Sequence, residues 1–174
     1  MRFAYADPPY LGCSRKHYGD HPEHAVYDTL EGHVALIQRL ATEYPDGWAY
    51  SCTSGNLKDI LPICPSNARV AAWVKPFAAF KVNVNPAYAW EPVIWMGGRK
   101  RDRTSATARD WIAANITMKR GVHGAKPREF CWWLFDLLGM EPEDEFHDLF
   151  PGSGAVTKAH EAWKQIRPLL RDAV

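Results

Sequence analysis

Residues 145–154 read EFHDLFPGSG, a short apolar stretch that runs into a proline and two glycines. Residues 155–166 follow with helix-forming composition, so the pattern predicts a strand over 145–150, a glycine turn and a helix. The amides of a helix N-terminus favour carboxylates and phosphates, and glycines there let a ligand approach the backbone closely. Taken alone, Gly152 and Gly154 are better explained by a tight strand-to-helix turn than by a ligand site.

The chain before this unit alternates between short apolar runs and segments with helical periodicity. Strands are predicted over residues 2–6, 48–52 and 69–74, and helices over 30–44, 57–61 (capped by Ser54) and 126–138. Two more apolar segments, 78–84 and 90–96, form either a hairpin or flanking strands, whereas 97–125 is predicted to be largely an exposed loop. This order predicts an α/β fold with a doubly wound, mostly parallel sheet.

Length and composition restrict the kind of protein further. The 174 residues are 47% hydrophobic, which predicts a single domain over residues 1–174 with a buried core. Because 21 basic residues face 20 acidic ones, any affinity for nucleic acid must be local. No apolar run approaches the about 20 residues of a membrane span, and we expect a cytoplasmic protein. The four cysteines form no CxxC pair, which favours reduced thiols over disulfides or a zinc site.

Residues 7–10 read DPPY directly after the first predicted strand. The two prolines end the strand and fix the backbone, so that the Asp7 carboxylate, the Pro8 carbonyl and the Tyr10 ring project together. The exocyclic amine of a flipped base has two N–H donors, which Asp7 and Pro8 could accept while Tyr10 stacks on the ring. For this tetrapeptide alone, a rigid turn with a solvated aspartate is an equally good explanation.

Together these segments resemble the amino-methyltransferases of DNA, which methylate adenine N6 or cytosine N4 with S-adenosylmethionine. DPPY at 7–10 matches the catalytic motif of that family, and FPGSG at 150–154 resembles its cofactor-binding F-x-G-x-G motif. HGAKP at 123–127 is similar to the H-x-x-K-P segment that usually precedes it. WVKP at 73–76 and WEPV at 90–93 are similar to weaker family segments, and the order of the motifs resembles the permuted beta group.

The resemblance implies a Rossmann-like S-adenosylmethionine-dependent methyltransferase fold and methyl transfer to adenine N6 in DNA, by base flipping and direct displacement. Adenine is preferred because the resemblance associates Asp at the first motif position with adenine enzymes. The implied catalytic residues are Asp7, Pro8, Pro9 and Tyr10. The implied cofactor-binding residues are Asp7, Lys126, Asp148, Phe150, Gly152, Ser153 and Gly154. No metal is expected, because transfer from a sulfonium needs no metal electrophile.

Phosphate contacts to DNA are predicted for the basic side chains Arg15, Lys16, Arg99, Lys100, Arg101 and Arg103. Family members usually carry a further acidic strand end after the glycine turn and a target-recognition domain, and the sequence matches neither. The resemblance therefore implies a fold truncated at its C-terminus, with relaxed specificity, a homodimer or a partner subunit as expectations. The alternatives are a cytosine-N4 or RNA adenine methyltransferase, and a degenerate fold that binds nucleic acid or a partner without catalysis.

Overall fold

The computed structural model describes residues 1–13, 25–77, 84–117 and 125–171. Within these ranges the strands are β1 (Arg2–Ala6), β2 (Gly47–Ser51), β3 (Arg69–Val74), β4 (Trp90–Gly97), β5 (Trp111–Ala113) and β6 (Glu145–Asp148). The α-helices are α1 (Leu30–Glu43), α2 (Leu57–Ile60), α3 (Arg128–Leu138) and α4 (Ala155–Arg171). Short 3-10 turns lie at Val26–Asp28 and Leu61–Ile63. None of the helices in the described part of the chain is long and apolar enough to cross a membrane.

The six strands form one sheet in the order β5-β3-β4-β2-β1-β6. β1 pairs in parallel with β2 on one side and with β6 on the other, and β3 pairs in parallel with β5. β4 is antiparallel to both of its neighbours, β2 and β3. Five strands therefore run in one direction, which confirms the predicted α/β fold with a mostly parallel sheet.

Helices cover both faces of this sheet. Phe3 and Tyr5 of β1 face α3 and α4, where they join a core that includes Phe130, Leu134 and Trp163. The intervening residues Ala4 and Ala6 face the other side, in a core with three side chains of α1, namely Leu36, Ile37 and Leu40. The division follows from the alternation of side chains along a strand, and it buries β1 on both faces.

Several boundaries differ from the sequence prediction. β5 lies in a segment predicted as a loop; it is held by backbone bonds to β3, Ala72 N to Asp110 O (2.9 Å) and Ala114 N to Val74 O (3.0 Å). These contacts are tertiary, so a three-residue strand gives almost no local signal. α2 ends at Ile60 and is preceded by Asn56 rather than capped by Ser54. The predicted strand over 78–84 falls almost entirely outside the described residues.

The strand directions define two edges of the sheet. Five strands run in the same direction, and their C-terminal ends lie along one edge, which we call the carboxyl edge. The antiparallel strand β4 starts at this edge. The opposite edge, where β4 ends, is the amino edge. In open α/β sheets, ligands bind outside the carboxyl ends of the strands, so the carboxyl edge is where a site is expected.

Candidate functional site

Asp7 follows β1 at the carboxyl edge, where it meets two side chains from other parts of the chain. The Lys126 ammonium, which immediately precedes Pro127 and α3, lies 3.0 Å from Asp7 Oδ2 and 3.3 Å from Glu91 Oε2. Only 4% of the Lys126 side chain is exposed, compared with 21% of Asp7. Lys126 is thus a buried cation held by two carboxylates, and Asp7 keeps a surface that a ligand can reach.

Tyr10 and Lys75 complete this group. The Tyr10 hydroxyl lies 3.3 Å from Asp7 Oδ1 and 3.2 Å from Glu91 Oε2, so its single proton serves one of these acceptors at a time. Lys75 forms an ion pair with Glu91. We call Asp7, Tyr10, Lys75, Glu91 and Lys126 the Asp7 cluster. Its two carboxylates and two ammoniums balance in charge, which is the condition for burying ions at acceptable cost.

The surroundings shift the pKa values of this cluster in different directions. Burial raises the pKa of Asp7 above its usual value, although the Lys126 ammonium beside it acts in the opposite sense. Burial also acts to raise the pKa of Glu91, but Lys126 and Lys75 outweigh it and hold that pKa below the usual range. The pKa of Lys126 is raised, because Asp7 and other anionic partners outweigh its burial. Asp7 is therefore the carboxyl that protonates first as the pH falls.

The glycine turn between β6 and α4 lies at the same edge. Gly152 and Gly154 have φ angles of 46° and 71°, in the left-handed region that favours glycine. A Cβ atom on Gly152 would meet only the Phe150 carbonyl oxygen, at 3.8 Å, and one on Gly154 only Lys158 Cε, at 3.9 Å. The glycines are thus required by the backbone conformation, and the described residues leave the space above them open.

Asp148, the last residue of β6, has one carboxylate oxygen with a partner and one without. Thr157 of α4 donates to Oδ2 at 3.1 Å, whereas Oδ1 is buried and has no hydrogen-bond partner within the described ranges. Burial raises the pKa of Asp148 above its usual value. The Thr157 hydroxyl and the backbone N–H groups of Phe150 and Thr157 act in the opposite sense, so the carboxylate is held beside the glycine turn and the start of α4.

The sheet brings the Asp7 cluster and the glycine turn to neighbouring positions. Tyr5 of β1 lies opposite Asp148 of β6 in the register, and Leu149 N donates to Tyr5 O at 2.9 Å. Neighbouring strands lie about 4.8 Å apart, so Asp7 and the glycine turn start from adjacent positions at the carboxyl edge. Phe150 is partly buried and makes a T-shaped contact with Tyr27, at 5.2 Å between ring centroids. Ser153 is exposed in the turn.

Of the basic side chains predicted to contact phosphate, the four in the segment 99–103 are not brought to this site. Arg99 follows β4 at the amino edge, where its Nη2 lies 2.8 Å from each Asp144 oxygen and its Nε donates to Gly139 O at 3.1 Å. Arg101 donates to Ala106 O at 2.7 Å. Lys100 and Arg103 are exposed on the same segment, and Arg15 and Lys16 lie outside the described residues.

Lys75 and Glu91 were not among the predicted site residues, although they lie in the segments WVKP (73–76) and WEPV (90–93). A signal was present, because Glu91 stands in β4, a strand whose next three residues are buried and apolar. A carboxylate in such a strand needs a cationic partner. Within the described ranges no group of three or more histidine, cysteine or acidic side chains is arranged to hold a metal ion. All four cysteines are free thiols, as predicted.

No family model and no curated protein matches the sequence. Several solved structures do match in fold. The structure of M1.HpyAVI in complex with SAM has a TM-score of 0.59 at 15% identity, covering 94% of this chain and 78% of that one. A second structure of M1.HpyAVI gives 0.57 at 13% identity, covering 94% and 76%. TTHA0409 of Thermus thermophilus, described as a candidate DNA modification methylase, gives 0.53 at 16% identity, covering 91% and 75%. The chain shares the fold of these structures.

Proposed function

We propose that this chain is an S-adenosylmethionine-dependent DNA methyltransferase that acts on adenine N6. The observation that carries the proposal is the parallel pairing of β1 with β6, which delivers Asp7 and the glycine turn to adjacent positions at one edge. The likeness in fold to a SAM complex and to a candidate DNA modification methylase supports the same function.

The residues around the glycine turn fit S-adenosylmethionine. When bound, this group supplies an electrophilic methyl on a sulfonium. Gly152 and Gly154 leave open space beside the backbone, and the amides at the start of α4 suit its carboxylate. The Asp148 carboxylate, at the end of β6 beside the turn, has the charge to pair with its ammonium. We assign the methionine end of the cofactor to Asp148 and the turn, with Ser153 exposed at its rim.

Asp7, Pro8 and Tyr10 are assigned to the target base. A carboxylate has about four lone-pair positions, and Lys126 and Tyr10 use two of those on Asp7, so the target amine can still donate to it. The Pro8 carbonyl takes the second N–H, Pro9 holds the turn rigid, and the Tyr10 ring stacks on the flipped base. This arrangement aims the nitrogen lone pair and supplies rate mainly by alignment. Asp7 then takes the proton that the methylated nitrogen releases.

Lys126 is proposed to position Asp7. The sequence predicted that Lys126 binds the cofactor. In the structure its ammonium pairs with the carboxylates of Asp7 and Glu91, and its side chain is almost fully buried. Its ammonium stabilises the ionised form of Asp7, which is the form that accepts hydrogen bonds from an amine. Glu91 and Lys75 fix Lys126 in turn, so all three residues act through Asp7.

The test is to incubate the protein with unmethylated DNA and isotopically labelled S-adenosylmethionine, and to identify the labelled nucleosides by mass spectrometry. We expect N6-methyladenine, lost in Asp7→Ala and retained in the control Asp59→Ala, which changes an aspartate paired with Lys58 on α2. Label on cytosine N4, or on RNA alone, would keep the chemistry and replace the substrate. Absence of both label and cofactor binding would favour a non-catalytic binding fold.

A further inference from the structure

A cavity with a volume of about 350 Å³ lies between the segment after β2 and the segment before β4. Ser54 lines one side, and Asn85, Pro86, Tyr88 and Trp90 line the other. β2 ends and β4 begins at the carboxyl edge, so the cavity opens at the same edge as the Asp7 cluster. Its volume lies within the range of small-molecule sites, which is about 300–1,000 Å³.

β4 separates this cavity from the Asp7 cluster. Glu91 lies opposite Trp73 in the register, on the face that carries α3 and Lys126. Trp90 lies opposite Val74, and because adjacent side chains of a strand point to opposite faces, it projects to the other side of the sheet. The cavity is therefore a distinct site beside the reaction centre and contributes nothing to the contacts of Asp7.

Among the described residues, the cavity is lined by aromatic, aliphatic and neutral polar side chains. Tyr88 is 57% exposed and Trp90 is 38% exposed, although large aromatic side chains gain most from burial. Ser54 and Asn85 supply a hydroxyl and an amide, which together donate and accept hydrogen bonds. No charged side chain lines the cavity among the described residues. Flat aromatic faces with a neutral hydroxyl and amide beside them match the faces and the polar edge of a nucleobase.

The spacing of the strands relates this cavity to the rest of the site. β4 lies two strand spacings from β1, which is about 10 Å at about 4.8 Å per spacing. That span equals about three base-stacking rises of about 3.4 Å. The glycine turn after β6 is one spacing further away, about 14 Å from β4.

We propose that this cavity binds a second nucleobase of the substrate strand, within about three nucleotides of the methylated base. The proposal rests on the proposed function, because it takes DNA as the substrate. Tyr88 and Trp90 hold the base by stacking, and Ser54 and Asn85 meet its edge. Because this base is bound but not modified, its identity affects which DNA sequences the protein binds.

The first measurement is the affinity for a labelled single-stranded oligodeoxynucleotide without S-adenosylmethionine. Removing one stacking side chain weakens binding by about 5- to 150-fold, as expected for base–aromatic stacking, so we expect this loss in Trp90→Ala and in Tyr88→Ala. Trp90→Phe retains an aromatic face and restores most of the affinity. Trp111→Ala is the matched control, because it removes another exposed strand tryptophan, on β5. Circular dichroism confirms that each variant is folded.

The second measurement replaces single nucleotides by abasic sites at each of the three positions on either side of the target adenine. At one position the abasic site should weaken binding of the unaltered protein and leave Trp90→Ala unchanged. Equal binding by the unaltered protein and both alanine variants would overturn the cavity site, whether or not DNA is methylated. Binding that depends on Trp90, together with no label on DNA in the methylation assay, would overturn the proposed activity alone. Absence of measurable oligonucleotide binding would overturn the cavity site, and the methylation assay decides the activity.

Discussion

Replacing Lys126 by methionine would leave Asp7 and Glu91 close together with only Lys75 to balance them. Removing one partner of a buried ion pair strands a charge in a poorly solvated place, which costs about 3–5 kcal/mol. We expect Lys126→Met to lower the free energy of unfolding by about that amount in urea titrations.

The matched control for this substitution is Lys58→Met. Lys58 also pairs with a carboxylate, that of Asp59, but on the exposed surface of α2. Exposed pairs contribute at most about 1 kcal/mol, so the two lysines should differ clearly. Similar losses for both would contradict the burial argument, and no loss for Lys126→Met would contradict the cluster itself.

The pH dependence of methyl transfer should report on Asp7. Its carboxylate must be ionised to accept the target amine, and burial raises its pKa. Activity should therefore be full above that pKa and fall as the pH drops through it, with a midpoint above the about 3.9 of an unperturbed aspartate. Tyr10→Phe keeps the stacking ring and removes a hydrogen bond that stabilises the ionised form, so the midpoint should move further up. Single-turnover rates across pH would measure this, and a downward shift would contradict the assignment.

Whether a residue of the candidate site can be predicted from the sequence depends on whether local or long-range contacts fix it. The backbone positions of Asp7, Tyr10 and Gly152 could be predicted because proline and glycine act locally, whereas their assigned roles stay predictions. The apolar strand around Glu91 indicates that this carboxylate needs a cationic partner, but the identity of that partner, Lys75, follows only from the pairing of β3 with β4. Such pairs depend on strand register, and no local pattern specifies it.

The turn between β6 and α4 can be tested as an element. Gly154 has a φ of 71°, so alanine there costs about 1–2 kcal/mol of backbone strain. Its Cβ would also project into the open space that we assign to the cofactor. We expect Gly154→Ala to lower the stability of the protein by about that strain and to weaken S-adenosylmethionine binding at least 10-fold.

Calorimetric titration of S-adenosylmethionine and urea unfolding would separate the two effects of this substitution. Gly55→Ala is a useful control, because a Cβ there meets only Thr53 Oγ1, at 3.8 Å, and its φ lies outside the strained region. A Gly154→Ala protein that loses stability yet binds the cofactor normally would show that the glycine serves the turn alone.

At the scale of elements, sequence periodicity predicted the long helices but not the strand that is held by tertiary contacts. α1, α3 and α4 carry clear helical patterns, and Gly139 ends α3 in the left-handed conformation, as expected. β5 was missed because its pairing with β3 and the Trp73 indole bond to Ala114 O (2.8 Å) are both long-range. The antiparallel direction of β4 was not predicted, yet it is what places Glu91 at the carboxyl edge.

At the scale of the whole molecule, the candidate site and the most basic segment lie at opposite edges of the sheet. The Asp7 cluster, the glycine turn and the aromatic cavity lie at the carboxyl edge. Arg99, Lys100, Arg101 and Arg103 follow β4 at the amino edge, and the contacts of Arg99 with Asp144 and Gly139 tie this segment to the start of β6 and the end of α3. A single domain over residues 1–174, and a homodimer or partner subunit, stay predictions of the sequence.

This division predicts how salt affects DNA binding. The formal net charge is only +1, so affinity depends on the few cations that meet phosphates. Each phosphate contact adds about 0.9 to the slope of log affinity against log salt for duplex DNA.

Because the exposed Lys100 and Arg103 lie at the amino edge, we expect the double variant Lys100→Gln, Arg103→Gln to keep the slope of the unaltered protein. Fluorescence anisotropy between about 50 and 200 mM salt covers the range in which such slopes are resolved. A slope reduced by about 2 would instead place DNA on both edges of the sheet, and would restore the phosphate contacts that the sequence predicted.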